Sequence, residues 1–367
     1  MIPGVSVTNY RRTITKLRIV SKLNASLADL SFPITAIIDP QKELYFDKTD
    51  FSVLQQTGNN WSSTTMFLLL GFGNHPELQV PLFLSFLTIY TVSIFGNLLI
   101  VFLVAIDQHL HTPMYFFLMN LSCLETCYIT TTVPRMLASL VTGDRSISMK
   151  GCITQYYFFG SLAATECYLL AMMSYDRYLA ICKPLHYTTI MSGRLCIQLA
   201  CTSWSIGLMA NTVVTALVLD LTFCGPNEID HYFCDLYPVT NLSCSNTHLV
   251  KLTTFILSLI ATGAPFGLTL ASYVCIIMTI LQIKSRAVQQ KAFSTCSSHL
   301  IVVSLFYGSL FLVYVVPETD TLMISQKSFS LFYTVLTPML NPLIYSLRNR
   351  EVKQALFRYV RKLRNQM

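Results

Sequence analysis

After residue 79 the chain reads as a series of apolar stretches separated by short polar intervals. Seven windows stand out, at 80–106, 114–140, 153–182, 195–219, 249–283, 292–316 and 329–347. Each holds roughly 20 residues or more, enough at about 1.5 Å per residue to cross about 30 Å of hydrocarbon. Backbone amides and carbonyls in lipid must pair within their own segment, so these windows predict helices and not strands. The pattern then changes. Val352, Ala355, Leu356, Tyr359 and Val360 recur at intervals of three and four with Lys and Arg between them, which predicts an amphipathic helix on a membrane surface. The expected fold is an all-α membrane protein: a seven-transmembrane-helix bundle with a short amphipathic C-terminal surface helix. Its divisions are an N-terminal segment at 1–79, the bundle at 80–347 and a tail at 348–367.

Composition agrees, since 53% of the 367 residues are hydrophobic and only 12% charged, outside the range of ordinary soluble domains. The placement of the net charge of +7 matters more than its size. Arg177, Lys183, Arg194, Lys284, Arg286 and Lys291 flank the ends of helices three to six on one side, and a run from Arg348 to Arg364 follows helix seven. By the positive-inside rule these ends are cytoplasmic, and an odd number of crossings then sets the N-terminus outside. The interval 220–250 carries Asp220, Glu228, Asp230 and Asp235 with no Lys or Arg. A basic strip under an anionic leaflet accounts for the positive charge, so membrane lipid is the expected partner and nucleic acid is not. Residues 1–55 are mixed in polarity and lack the apolar core of a cleavable signal peptide, so no structure is expected there. Asn60-Trp61-Ser62 is a glycosylation acceptor on the expected outer side, and Asn24-Ala25-Ser26 and Asn241-Leu242-Ser243 match the same pattern.

The third window ends in Met172-Met173-Ser174-Tyr175-Asp176-Arg177-Tyr178-Leu179-Ala180-Ile181-Cys182. An acid and an arginine at a membrane edge are costly and read as functional by default. A snorkelling arginine beside a carboxylate accounts for two isolated residues, but not for three further strings in order. These are Leu110-His111-Thr112-Pro113-Met114-Tyr115-Phe116-Phe117-Leu118, Lys291-Ala292-Phe293-Ser294-Thr295-Cys296-Ser297-Ser298-His299-Leu300 and Pro338-Met339-Leu340-Asn341-Pro342-Leu343-Ile344-Tyr345-Ser346-Leu347-Arg348-Asn349. Together with Pro184-Leu185-His186-Tyr187, they resemble rhodopsin-like G-protein-coupled receptors in their olfactory-receptor form, over about 60–360.

The resemblance implies a plasma-membrane receptor, not an enzyme. Its expected partners are a small volatile ligand and a heterotrimeric G protein of the stimulatory or olfactory type, acting through cyclic AMP. The implied coupling and switch residues are Asp176, Arg177, Tyr178, Tyr273, Lys291, His299, Asn341, Pro342 and Tyr345. Pro342 must interrupt the backbone ladder of its helix. Other rhodopsin-like receptors often hold the helix-three arginine with an acid on helix six, yet nothing from Ile283 to Ser294 is acidic. Any resting partner of Arg177 is therefore Asp176 or some other group.

Cys152 precedes the third window, and Cys224, Cys234 and Cys244 fall in the long interval after the fourth. Four cysteines in an oxidising compartment permit three pairings, and a zinc site of Cys224, His231 and Cys234 lacks paired close spacings. The resemblance implies Cys152–Cys234 and Cys224–Cys244. No cysteine follows Cys296, so no lipid-anchored tail is expected.

Counted from the inner ends, Asn97, Glu125 and Glu166 lie roughly 14 to 18 Å deep, near mid-membrane. Two ionised, unpaired carboxylates there would be costly, so either a cation joins them or at least one is protonated. The resemblance favours a structural sodium ion, with Glu125 standing where relatives have Asp. Protonated glutamic acids, bonded to each other or to Asn97, are the alternative, and no other cofactor is expected. Some 20 to 27 Å above Arg177, Phe159, Gly160, Ala163 and Ala164 fall on one face of helix three and leave room beside it. Facing candidates are Leu257, Ser258 and Ala261 on helix five, Tyr307, Leu310, Phe311 and Tyr314 on helix six, and Leu331 and Thr334 on helix seven. Such walls suit a small, largely apolar ligand. No acid lies at that level to pair an amine. The competing functions are a receptor for a non-odorant small ligand, a transporter or channel, and a membrane enzyme. The transporter lacks an internal repeat, and the enzyme lacks His-Glu-x-x-His, Gly-x-Ser-x-Gly and phosphate-loop motifs.

Overall fold

A computed structural model describes residues 66–73, 76–224, 227–314, 327 and 329–364. The chain divides into two units, Met1–Ser63 and Thr64–Met367, and all the described residues belong to the second. Asn24, Asn60 and the first 55 residues lie outside the described residues.

The bundle is built from α1 (Pro76–Ile106), α2 (Pro113–Thr142), α3 (Met149–Cys182), α4 (Gly193–Leu219), α5 (His248–Leu281), α6 (Arg286–Tyr314) and α7. In α7 the helical residues 329–331 lead into a π-helical turn, Phe332–Leu336, and the helix continues as Thr337–Arg348. A surface helix, α8 (Arg350–Arg364), follows. Several of these helices begin a few residues before the apolar windows because their first turns are polar and capped. Ser148 Oγ accepts from Gly151 N at the head of α3, and Ser192 Oγ from Leu195 N at the head of α4. Pro113 opens α2, where a missing N–H costs nothing. Gly143 ends that helix at φ +73°, a left-handed conformation that glycine adopts without strain.

The structure adds a small sheet to the expected all-helical fold. Strand β1 (Met66–Leu69) lies between β2 (Ser146–Ser148), antiparallel, and β3 (Glu228–Ile229), parallel. Phe67 and Leu69 turn inward while Met66 and Leu68 face out, the alternation a one-sided strand requires. Arg145 fastens the following turn by donating to Leu70 O (3.2 Å) and Gly73 O (2.8 Å). Nothing in the local sequence predicts this strand, because its partners come from two distant loops.

Helix α8 is the expected amphipathic surface helix, and its apolar row is divided: Val352 and Ala355 are buried and Tyr359 packs edge-on against Phe102 of α1, while Val360 stays exposed. Phe357, Val360 and Leu363 form the exposed apolar row. Asn349 Oδ1 accepts from Glu351 N and from the Tyr115 hydroxyl of α2. Arg358 donates through Nε and Nη2 to Asp107 Oδ2 at 2.9 and 2.7 Å. Burial pushes the Asp107 carboxyl up, but hydrogen bonds from His109 and Arg358 outweigh it and leave the group below its ordinary value.

Candidate functional site

At the end of the bundle nearer α8, Arg177 Nη2 pairs with Asp176 Oδ2 at 3.1 Å. Adjacent residues on a helix do not face each other, so the pair forms only because the long guanidinium folds back. The Tyr187 hydroxyl, on the short helix Pro184–Ile190, donates to Asp176 Oδ1 at 2.8 Å and fixes the carboxylate. Tyr273 of α5 lies 2.6 Å from His299 Nδ1 of α6, while His299 Nε2 and the Tyr345 hydroxyl are buried without a partner. Tyr178 packs against a cluster of Tyr273, Ile276, Ile280 and Cys296. Lys291 lies in α6 with its side chain outside the described residues. Leu185, on the same short helix as Tyr187, stands 90% exposed. It and Tyr187 entered the sequence reading only as letters of a signature string, and their signal was an apolar and an aromatic residue in a basic turn.

Mid-bundle, Pro342 has no N–H, so the carbonyl four residues back, on Pro338, loses its helical partner. Asn97 Nδ2 supplies the missing donor at 3.0 Å. Its neighbour Gly96 makes room for the proline ring, since a Cβ there would lie 2.9 Å from Pro342 Cβ. The Gly96-Asn97 pair of α1 is thus shaped to the interruption in α7.

Asn341 Nδ2 donates to Glu125 Oε1, and Glu125 and Glu166 are both fully buried. Both carboxyl oxygens of Glu166, Oε2 of Glu125, Oδ1 of Asn97 and of Asn341, and the Tyr128 hydroxyl are buried without a hydrogen-bond partner. Oxygen atoms lacking donors are what a small hard cation takes as ligands, so the residues fit a sodium ion. Among the described residues no group of three or more His, Cys, Asp or Glu is placed to hold a metal. Any ion here would need amides and hydroxyls to complete its shell.

At the opposite end Cys152–Cys234 and Cys224–Cys244 are disulfides, with Cα–Cα separations of 5.4 and 5.9 Å. Cys224 and Cys234 are thereby consumed, which removes the zinc reading. The residues expected to line a chamber divide into groups. Phe159 rests against Tyr128 (4.9 Å between ring centres), Tyr333 (6.0 Å) and Phe233 (4.7 Å). Ala164 and Ala261 are buried, and Ala163 and Leu310 pack on the main core. Tyr307 donates to Cys167 O at 3.1 Å and lies tilted against Phe266, with ring centres 5.1 Å apart.

Leu331 also packs on that core, and Thr334 is fully buried within hydrogen-bond distance of the Tyr232 hydroxyl. Gly160 goes elsewhere: a Cβ on it would strike the Asn211 side chain of α4. Positions 159/163 and 160/164 flank an arc of about 100° on a helix, and α4 approaches the second flank. Phe311 is 57% exposed and Ser258 is exposed, so neither turns inward. Leu257 packs with the cluster around Cys152, and the Tyr314 side chain lies outside the described residues.

The family model described as olfactory receptor matches residues 86–362. Olfactory receptor 10A7 of Homo sapiens is 51% identical over 301 residues, covering 82% of this chain and 95% of that protein. Olfactory receptor 2AP1 of Homo sapiens is 50% identical over 309 residues, covering 83% and 99%. Olfactory receptor 2B6 of Mus musculus is 49% identical over 304 residues, covering 83% and 97%.

Proposed function

The chain belongs to the olfactory receptor family of rhodopsin-like G-protein-coupled receptors, and from that premise we propose that it binds a small, largely apolar volatile molecule near Phe159 and Tyr307. Binding activates a heterotrimeric G protein of the stimulatory or olfactory class and raises cyclic AMP. The protein is a multi-pass membrane protein and not an enzyme. In the proposed topology the disulfide-bearing end is extracellular and α8 is cytoplasmic, in keeping with the Lys and Arg residues around Arg177.

The observation that carries the coupling half is the state of Arg177, which is paired within its own helix at 3.1 Å and not with an acid on α6. Separating α5 from α6 breaks the Tyr273–His299 contact and opens a cleft beside Arg177 and Tyr345, the kind of hinge-and-shift motion that biases a two-state protein. Replacing Arg177 by Ala is expected to abolish ligand-driven cyclic AMP while surface expression persists. Unchanged signalling defeats the assignment.

For the ligand half, aromatic and small side chains at Phe159, Ala163, Ala164, Ala261 and Tyr307 support an apolar guest. A sodium ion between Glu125 and Glu166 is the proposed resident of the mid-bundle cluster, where it would offset one of the two carboxylate charges and leave the other carboxyl protonated. Sodium is expected to raise the unfolding temperature of the purified receptor and to lose that effect in Glu166→Gln. No sodium effect in either protein leaves a protonated pair as the account.

A further inference from the structure

Ahead of α1 the chain makes a tight turn, Leu70-Gly71-Phe72-Gly73, with both glycines at positive φ (+61° and +88°). A Cβ on Gly71 would meet nothing within 4 Å, so the turn leaves the space beside it open. That space is a narrow cavity between β1, α1 and α2. Part of its lining is apolar, with Leu69 and Met136 buried and Leu82 and Leu140 half-buried. The rest is polar: Gln79 of α1 contributes an amide, and Arg145, in the loop after α2, contributes a guanidinium.

The guanidinium holds the turn through Leu70 O and Gly73 O, which occupies two of its five N–H groups. The others are free to bind a guest. Among the described residues no acid pairs with Arg145, and none lines the cavity. Its neighbour Asp144 is already committed: Oδ2 lies 3.7 Å from Arg135, and Oδ1 accepts from Ser146 N and Oγ at 2.8 and 2.7 Å. An uncompensated cation therefore stands against an apolar slot. Their levels differ in a telling way. Arg145 falls beyond Thr142, the last residue of α2, where the bundle meets water, whereas Leu82 and Met136 lie well inside α1 and α2. Each is six residues from its helix end, a depth of about 9 Å.

We propose that this cavity is a second ligand site, separate from the region around Phe159 and Tyr307, and that it takes a single-chain amphiphilic carboxylate. A carboxylate accepts two parallel N–H bonds from a guanidinium. A chain reaching about 9 Å, the length of octanoate, then runs along Leu82, Met136 and Leu140. The head stays at the water boundary and the tail at the level of lipid tails. A neutral alcohol of the same length would leave the Arg145 charge unmatched. A two-chain phospholipid carries an anionic head too, but a slot bounded by one strand and two helices admits one chain. Occupancy ties β1 and its turn to α1 and α2. The site stands on its own geometry and needs neither the volatile ligand nor the G protein.

The test places the purified full chain in phosphatidylcholine nanodiscs with octanoate bearing a diazirine at the end of its chain. After illumination, labelled peptides are mapped by mass spectrometry. Label is expected around Leu82 and from Met136 to Leu140, and is expected to fall when plain octanoate competes. Arg145→Gln should cut it about tenfold, the scale set by one charge-assisted hydrogen bond, and the matching alcohol should label the native chain about tenfold less. Leu140→Trp fills the slot with Arg145 in place and should lose the label as well. Arg145→Lys keeps a cation and a donor for the turn and should retain most of it; a loss as complete as with Arg145→Gln assigns Arg145 to the turn alone and overturns the proposal. Equal labelling by acid and alcohol, label unchanged by Arg145→Gln, or label confined to peptides holding Phe159 and Tyr307 also overturns it. Adding phosphatidylglycerol to the nanodiscs separates the two lipid sources. Label that persists supports the single-chain occupant, whereas label that disappears gives the site to a leaflet phospholipid and rejects it.

Discussion

The two ends of the bundle are held in different ways. At one end the chain is stapled by Cys152–Cys234 and Cys224–Cys244, roofed by a three-stranded sheet and filled by loop aromatics. At the other, the polar contacts around Arg177 are single and reversible: Asp176 with Arg177, Tyr187 with Asp176, and Tyr273 with His299. Covalent closure restricts the unfolded chain and resists rearrangement, whereas a lone hydrogen bond contributes only about 1 kcal/mol. A molecule built this way changes shape more easily at the Arg177 end. Between the two lies α7, whose Pro342 interrupts the ladder and whose orphaned Pro338 carbonyl is satisfied by Asn97 of α1.

The contrast breaks most completely at the staple. Cys152→Ser is expected to cost about 2–5 kcal/mol, the usual range for losing a native disulfide, and to remove most surface-expressed receptor in an antibody-staining assay. Arg177→Ala should leave surface expression near normal in the same assay. Equal losses in the two variants would erase the distinction between the ends.

The filled end should also be the acid-sensitive one. Burial, with the Lys327 cation adding to it against the opposing Asp230, lowers the His231 pKa from 6.5 to about 3. A base whose docked-state pKa is lowered binds more protons when released, so docking weakens as pH falls below about 6.5 and stops weakening below about 3. At pH 5 the expected loss is about 2 kcal/mol. It would appear as faster amide exchange across residues 229–234 relative to pH 7.5, after correction for intrinsic rates. His231→Asn should remove the difference.

The smallest effect sharpens the picture of α7. Gly96→Ala pushes a methyl against Pro342, costing about 1–3 kcal/mol by overpacking, less up to about 1 kcal/mol gained in helix propensity. Gly308→Ala meets open space and should gain the propensity term alone. Thermal unfolding of the two purified variants should therefore shift in opposite directions from the parent.

Much of this molecule was legible in its residues. The crossings, the basic end and the interruption at Pro342 followed from the chain alone. The chamber was less so. Phe159, Ala163 and Tyr307 face the core, but Gly160 serves the contact with Asn211 and Phe311 points outward. Phe233, the ring packed on Phe159, came from a loop with no periodicity to read.

The division has a physical cause. Where helices form and which ends carry charge depend on each residue's own transfer cost and backbone chemistry, properties local to the chain. Which face of an apolar helix turns inward depends on its rotation about its own axis, and lipid tails are as apolar as the core, so the hydrophobic pattern hardly marks it. Only the packed structure could choose Asn97 for the Pro338 carbonyl, set β1 between two distant loops and seat Phe233 on Phe159. Each of those choices joins residues far apart in the chain, and close packing alone decides among them.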